Sequence, residues 1–270
     1  MRKREVGLAG EPGAPAVKDE QFVTALARGL DVLRAFRPGD PRLGNQELAR
    51  RTGLPKPTVS RLTYTLASLG YLSYDRGTAS YQLSIAALSL GFSALGRFAV
   101  RDVARPYMQR LADETGVSVA LGARDGAGMI YIEHCRGDSP LHIGIEVGSH
   151  ISIATSAMGR AYLAALPPTE RMLLLDALSQ KDGRASVRKT AEAALSEYGA
   201  RGFVLSVGEW KQGVNAVGVP LVLGTGALTF ALNCGGPSVL LSAEQLLDSV
   251  GPKLVAVAAA IRKDMNVQGA

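Results

Sequence analysis

Apolar positions repeat with a helical period through the first part of the chain, and strand-like alternation becomes prominent further on. Leu26, Leu30, Leu33 and Phe36 make the core stripe of a helix predicted from about Val23 to Arg37, which Pro38-Gly39-Asp40-Pro41 ends. A short helix follows, capped by Gly44 or Asn45, with Glu47 near the positive end of its dipole. Thr52-Gly53 closes it, because glycine tolerates the left-handed conformation that stops a helix. Pro55 and Pro57 bracket the next start, where a missing N–H has no intrahelical partner to lose. Val59, Leu62, Leu66 and Leu69 then form one buried stripe. The opposite face carries Lys56, Thr58, Ser60, Arg61, Tyr64 and Thr65, side-chain types that contact phosphates and base edges. Tyr71–Tyr74 and Ser80–Leu83 alternate as two strands around the turn Asp75-Arg76-Gly77. A helix pair followed by a basic-tipped hairpin predicts a winged helix-turn-helix.

Residues 85–100, IAALSLGFSALGRFAV, are apolar almost all round. A helix with so little polar face must be covered on most sides. It is expected to serve the core of the first domain and to connect and pack against a second subunit. Helices are predicted from about Arg101 to Thr115, Ser156 to Leu166, Thr169 to Leu178, Lys189 to Ala200 and Ala243 to Lys263. Strands are predicted over Val117–Arg124 and Met129–Cys135, a hairpin about Asp125-Gly126-Ala127-Gly128, and over Leu141–Val147. Phe203–Val207, Ala216–Leu223 and Ala227–Cys234 complete the set, the last two joined by Gly224-Thr225-Gly226. These blocks predict an α+β domain, an antiparallel sheet with helices beside it.

Charge divides the same way. Residues 1–100 hold 14 Lys/Arg against 8 Asp/Glu, whereas residues 101–270 hold 16 of each. The whole basic excess therefore lies on the half with the polar-faced helix, which suggests a polyanion partner for that half alone. Arg2, Lys3 and Arg4 contribute part of it from a Gly-, Pro- and Ala-rich arm that reads as disordered. No apolar run approaches the ~20 residues a membrane span needs, and the arm lacks the apolar segment of a signal peptide. Two cysteines, Cys135 and Cys234, make no disulfide framework and suit a reducing cytoplasm.

Several motifs in order resemble the IclR family of bacterial transcriptional regulators, from about Phe22 to Met265. They are ALARGLDVLRAF, LARRTGLPKPTVSRLTYTLASLGYL and YQLS in the first half, then ATSAMGRAYLAALP, RGFVLSVGEWKQGVNAVGVPLV and ALNCGGP. The opening FVTALARGLDVLRAF and the TSAMGR string also resemble the branch that senses protocatechuate-type aromatic acids. The resemblance implies a winged helix-turn-helix (22–84) after the arm (1–21), a linker and dimerisation helix (85–100), and a GAF/profilin-like effector domain (101–266). It further implies a homodimer or dimer of dimers that binds palindromic double-stranded operator DNA, represses or activates transcription, and responds to a small carboxylate. No cofactor, metal or membrane partner is implied.

By the same resemblance, Lys56, Pro57, Thr58, Ser60, Arg61, Tyr64 and Thr65 fall on the recognition segment and Arg76 on the wing. Arg61 is the expected base or phosphate contact, while Tyr64 either reads DNA or leans on the wing. The implied effector pocket draws on Thr155, Ser156, Ala157 and Met158, at a helix start whose free N–H groups suit a carboxylate. It also draws on Ser206, Glu209, Val214, Asn215 and Ala216, and on Asn233 and Gly235. Ser156 and Thr155 are equally ordinary N-caps, and Cys234 reads better as a small buried hydrophobe than as a ligand contact. The chain departs from the family at Ile151-Ser152, where Pro-Leu is usual, and at Ser206 and Ala216, where some acid-binding members have Asp and Cys. These departures bear on the ligand's size and headgroup.

Two other classes compete. An architectural DNA-binding protein without a ligand leaves the large neutral second half unexplained. A hydrolytic enzyme finds little support: the chain has no GxSxG elbow, no Walker loop and no HExxH or CxxC. Pairing Ser156 with His150 leaves no third group to orient the base. A zinc site from His142, His150 and an acid is the remaining metal alternative. His134 and Cys135 are adjacent in a predicted strand and point to opposite faces.

Overall fold

A computed structural model describes residues 21–182, 184–224 and 228–268. They fall into two compact units, one within Pro15–Phe98 and one within Ala99–Ala270. Arg2, Lys3, Arg4 and the Gly224-Thr225-Gly226 turn lie wholly or partly outside the described residues.

The first unit opens with α1 (Thr24–Arg34), a two-residue strand β1 (Leu43–Gly44), α2 (Asn45–Thr52) and α3 (Lys56–Ser68). Gly44 is the N-cap of α2, and Gly53 ends it at φ 70° with its amide on the Ala49 carbonyl. Strands β2 (Leu72–Asp75) and β3 (Ser80–Leu83) form the wing, and β1 pairs with β3 to make a three-stranded sheet. Val32, Leu43, Leu48, Val59, Leu66, Leu72 and Tyr81 are its buried core. Two expected stripes are only partly covered. On α1 the core residue is Val32, with Leu33 and Phe36 half-buried against it, while Leu26 and Leu30 stand exposed with Phe22 and Val23. On α3 Leu69 is exposed and Leu62 half-buried. Helical spacing says which residues share a face; whether anything covers that face is decided elsewhere in the fold.

The apolar stretch from residue 85 forms two helices instead of one. Helix α4 (Ile85–Leu95) stops at Gly96, a poor helix former, and α5 (Val100–Thr115) starts past the boundary between the units. Among the described residues, helix α4 has no buried side chain, and Ile85, Leu88, Leu90 and Phe92 are exposed.

The second unit is a six-stranded antiparallel sheet in the order β6-β5-β4-β9-β8-β7. Its strands are β4 (Ser118–Asp125), β5 (Gly128–Cys135), β6 (His150–Ser152), β7 (Val204–Val207), β8 (Val214–Leu223) and β9 (Leu228–Pro237). Leu141–Val147 is not a strand. The Tyr131 amide donates to the Ser149 carbonyl and the Tyr131 carbonyl accepts from the Gly148 amide, so the ladder position beside β5 is already filled by the chain leading into β6. Helices α6 (Ala157–Ala165), α7 (Pro168–Asp182) and α8 (Arg184–Arg201) follow, the last starting earlier than its apolar pattern suggested. The final helix is broken into α9 (Ala243–Gln245), a five-residue π-helical stretch over Leu246–Val250, and α10 (Gly251–Gln268). The edge strand β7 is blunted by side chains. Glu197 accepts from the Leu205 amide, Glu209 accepts from the Val207 amide, and Arg160 donates to the Leu205 carbonyl.

Two close approaches set α6 down on the sheet. A Cβ on Gly218 would lie 2.2 Å from the Ala157 carbonyl oxygen, and one on Gly122 would lie 2.2 Å from the Met158 sulfur. At Gly218 the clash is with backbone, so glycine there lets the start of α6 rest against β8, whereas at Gly122 a side chain would have to displace the end of Met158.

Candidate nucleic-acid interface and ligand cavity

In the first unit, α3 turns Val59, Thr63 and Leu66 inward. The Thr63 hydroxyl is satisfied by the Asn45 side chain and by the carbonyls of Val59 and Ser60. Lys56, Pro57, Ser60, Arg61, Tyr64 and Thr65 are all exposed, and Thr58 is half-buried. Tyr64 is 74% exposed, so it does not lean on the wing. Tyr74 of the wing stacks instead on Tyr81, with ring centroids 4.7 Å apart. Arg76 is exposed in the wing turn. That turn is braced by Asp75, which accepts from the Gly77 amide at 2.9 Å and pairs with Arg42 at 2.5 Å.

The helix pair is held by Arg51, which sequence reasoning left aside. Its guanidinium donates to the Ala35 carbonyl, to Asp40 and to Glu47. Hydrogen bonds from Arg50 and Arg51 draw the Glu47 carboxyl down to about 2. One partly covered arginine thus ties the end of α1 to α2, while Lys56 and Arg61 of α3 stay exposed.

In the second unit a cavity lies between the start of α6 and the sheet. Its floor is Ser118 and Ala120 of β4, Val214 and Ala216 of β8, and Asn233 and Gly235 of β9. The register explains why these six share a face. Ser118, Gly235 and Ala216 are cross-strand neighbours, as are Ala120 and Asn233. Ser156 and Ala157 form the helix side, Ser206 comes from β7, and Ile143, Ile145, Ile151 and Trp210 supply apolar walls. The enclosed space is about 30 Å³, room for little more than a water molecule. Ile143, Ile145 and Trp210 sit on segments without regular structure.

Tyr131 and His134 also line the cavity, although residues three apart in a regular strand face opposite ways. A β-bulge resolves this. Leu121 pairs with Glu133 and the next residue, Gly122, pairs with Tyr131, so β5 carries one extra residue at Ile132. The bulge aims both Tyr131 and His134 at the cavity. It leaves Glu133 on the other side, bonded to Arg101 at 3.0 Å and Arg105 at 2.7 Å. Burial pushes the Tyr131 phenol up to about 12. Burial, with Arg136 adding to it, pulls His134 below its ordinary value, so the ring is neutral at pH 7.

Seven of the expected pocket residues meet at this cavity: Ser156, Ala157, Ser206, Val214, Ala216, Asn233 and Gly235. Four do not. Asn215 alternates to the far face of β8, where its amide donates to the Leu241 carbonyl at 2.9 Å. Met158 is buried against Gly122. Thr155 contributes its carbonyl to the Ser206 hydroxyl. Glu209 is held by Arg160 through two hydrogen bonds of 2.5 and 2.8 Å, which also keep its carboxyl below the usual range. Glu209 directly precedes Trp210 of the cavity wall. Tyr131 and His134 were missed because the bulge leaves no mark in the alternation of β5.

The hydrolytic alternative fails on geometry. The Ser156 hydroxyl donates to the Ser152 carbonyl and accepts from the Gly159 amide, while His150 pairs with Asp125 at 2.8 Å. Among the described residues, no group of three His, Cys, Asp or Glu side chains is placed to hold a metal ion. No helix among them is long and apolar enough to cross a membrane.

Comparison with known proteins agrees with both units. The sequence profile described as "Bacterial transcriptional regulator IclR C-terminal" matches residues 92–263, and the "IclR helix-turn-helix domain" profile matches 25–76. The HTH-type transcriptional regulator TsaQ1/TsaQ2 of Comamonas testosteroni is 32% identical over 249 residues, 91% of this chain and 89% of that one. The Pca regulon regulatory protein of Pseudomonas putida is 29% identical over 222 residues, covering 80% and 75%. The crystal structure of an IclR family transcriptional regulator from Brucella abortus is similar with a TM-score of 0.81 and 45% identity, covering 92% of this chain and 94% of that one. The chain belongs to the IclR family of bacterial transcriptional regulators and is not an enzyme.

Proposed function

We propose that this protein binds palindromic operator DNA as a dimer and releases or remodels that complex when a small organic acid occupies the cavity beneath α6. Residues 22–84 would read DNA, with Lys56, Ser60, Arg61, Tyr64 and Thr65 of α3 facing the major groove and Arg76 of the wing beside it. Two such helices in a dimer enter grooves about one helical turn apart. The outward apolar face of α4 supports the dimer, since Ile85, Leu88, Leu90 and Phe92 are exposed among the described residues.

One observation carries the sensing half. The N-terminal end of a helix, with Ser156 at its cap, faces a cavity that joins neutral polar groups to apolar walls. Such an end favours a carboxylate through its free amides and dipole, and the apolar walls suit the body of a small acid. Binding shifts the protein only as far as the acid prefers one arrangement over another. Because the walls must part, ligand energy is coupled to movement of the segments that carry Ile143, Ile145 and Trp210.

A gel shift with the DNA upstream of its own gene, at two salt concentrations, tests the DNA half. Binding should weaken steeply with salt as counterions are released; absent or salt-independent binding rejects it. Thermal-shift measurements over a panel of small organic acids test the other half, and a panel that leaves the transition unmoved rejects it.

A further inference from the structure

Strand β5 faces two parts of the second unit at once. Tyr131 and His134 line the cavity, while Glu133 and Cys135 meet helix α5 on the other side. Regular alternation would send Tyr131 and Glu133 the same way. The extra residue at Ile132 separates them, so a wall of the cavity and a grip on α5 belong to neighbouring residues of one bulge. They are also joined directly, because Glu133 Oε1 accepts from the His134 amide at 3.0 Å.

The grip on α5 is built from charge. The Glu133 side chain is 5% exposed, and its carboxylate takes Arg101 on one oxygen at 3.0 Å and Arg105 on the other at 2.7 Å. The two arginines are four residues apart and share one face of α5. Helix α5 starts at Val100, where the chain has just left the first unit. A buried ion pair is a poor device for stability alone, since apolar residues of similar size often serve as well or better. It does fix direction, through hydrogen bonds that hold only in one geometry. Arg101 uses a single nitrogen here, and its buried Nε has no partner among the described residues, so a small shift leaves the clasp a further bond to make. We propose that Glu133 is the positioning residue that passes the state of the cavity to α5, and along the chain to the DNA-reading unit. Displacing Tyr131 or His134 moves the bulge, the bulge moves the carboxylate, and the two arginines carry that movement into α5. This rests on the reading of the cavity as the effector site.

Straining the cavity from inside the full chain tests this without an identified ligand. Ala120 lies on the cavity floor as the cross-strand neighbour of His134. Ala120→Val adds two carbons to a space of about 30 Å³ and presses on the β5 wall. Affinity for the DNA upstream of its own gene should shift five-fold or more, and amide exchange in the first turns of α5 should change with it. In a Glu133→Gln background the same substitution should move affinity two-fold or less and leave α5 exchange as it was. A tie that only holds the fold together would lower the melting temperature in Glu133→Gln yet leave the larger response to Ala120→Val intact, and that result overturns the proposal. If Ala120→Val does not fold, Ala120→Ser strains the site with one added atom. If Glu133→Gln does not fold, Arg105→Met loosens the clasp from a side chain that is 59% exposed. No response to cavity strain even with Glu133 in place overturns the ligand-gating reading and this proposal together. If the DNA does not bind at all, the DNA-reading half falls on its own and α5 exchange decides the role of Glu133.

Discussion

The two units place their polar chemistry in opposite ways. Helix α3 keeps an apolar side inward and holds Lys56, Arg61 and Tyr64 exposed. The cavity of the second unit buries Tyr131, Ser156, Ser206 and Asn233, and each is already engaged with a neighbour. A surface reader of this kind tolerates change one side chain at a time, because its residues act through the partner they meet. A buried site is a packed arrangement, so a change in one wall is felt by the strands and helix around it.

Four substitutions would break or sharpen that contrast. Gly218→Val forces a side chain into the Ala157 carbonyl, and should cost about 3 kcal/mol of stability in the second unit by lifting α6. Thermal denaturation reads the loss, and an unchanged transition would mean that α6 is not seated by this glycine. Arg61→Ala should weaken operator binding by ~1–3 kcal/mol and leave acid binding and stability untouched. Fluorescence anisotropy on labelled DNA beside calorimetry separates the two, and a loss of acid binding would contradict the division of labour. Arg160→Met frees Glu209 and strips donors from the Ala154 and Leu205 carbonyls. With Glu209 half exposed, about 1–2 kcal/mol is expected, together with faster hydrogen exchange around Trp210.

The smallest effect concerns pH. The folded state depresses the His134 value, so unfolded chains take up a proton first as pH falls below about 6.5. Stability of the second unit should therefore decline from that point until the folded ring also protonates. His134→Asn should flatten denaturation curves in that window without altering DNA binding at pH 7. A slope that persists would assign it to other groups.

The winged helix was legible because each of its features is local. Gly53, the two prolines and the alternation of the wing each act within a few residues of themselves. The start of α6 was legible too, since Ser156 is a sequence-local cap. The cavity was legible only in outline. Naming Asn215 beside Val214 and Ala216 ignored the strand period, which turns neighbours to opposite faces. Glu209 looked like a ligand contact until Arg160, 49 positions away, claimed it.

What the sequence determined by itself was the order of elements, the half that bears the basic excess, and the polar face of α3. These follow from short-range periodicity, capping and charge, which need no partner element to be read. The tertiary structure decided which faces are covered, as with Val32 over Leu26 and Leu30, and which side chains share the cavity. A single extra residue in β5 turns Tyr131 and His134 to the same side as Asn233. Register and bulges are set by pairing between distant strands, so the chemistry of the buried site exists only once the sheet has formed.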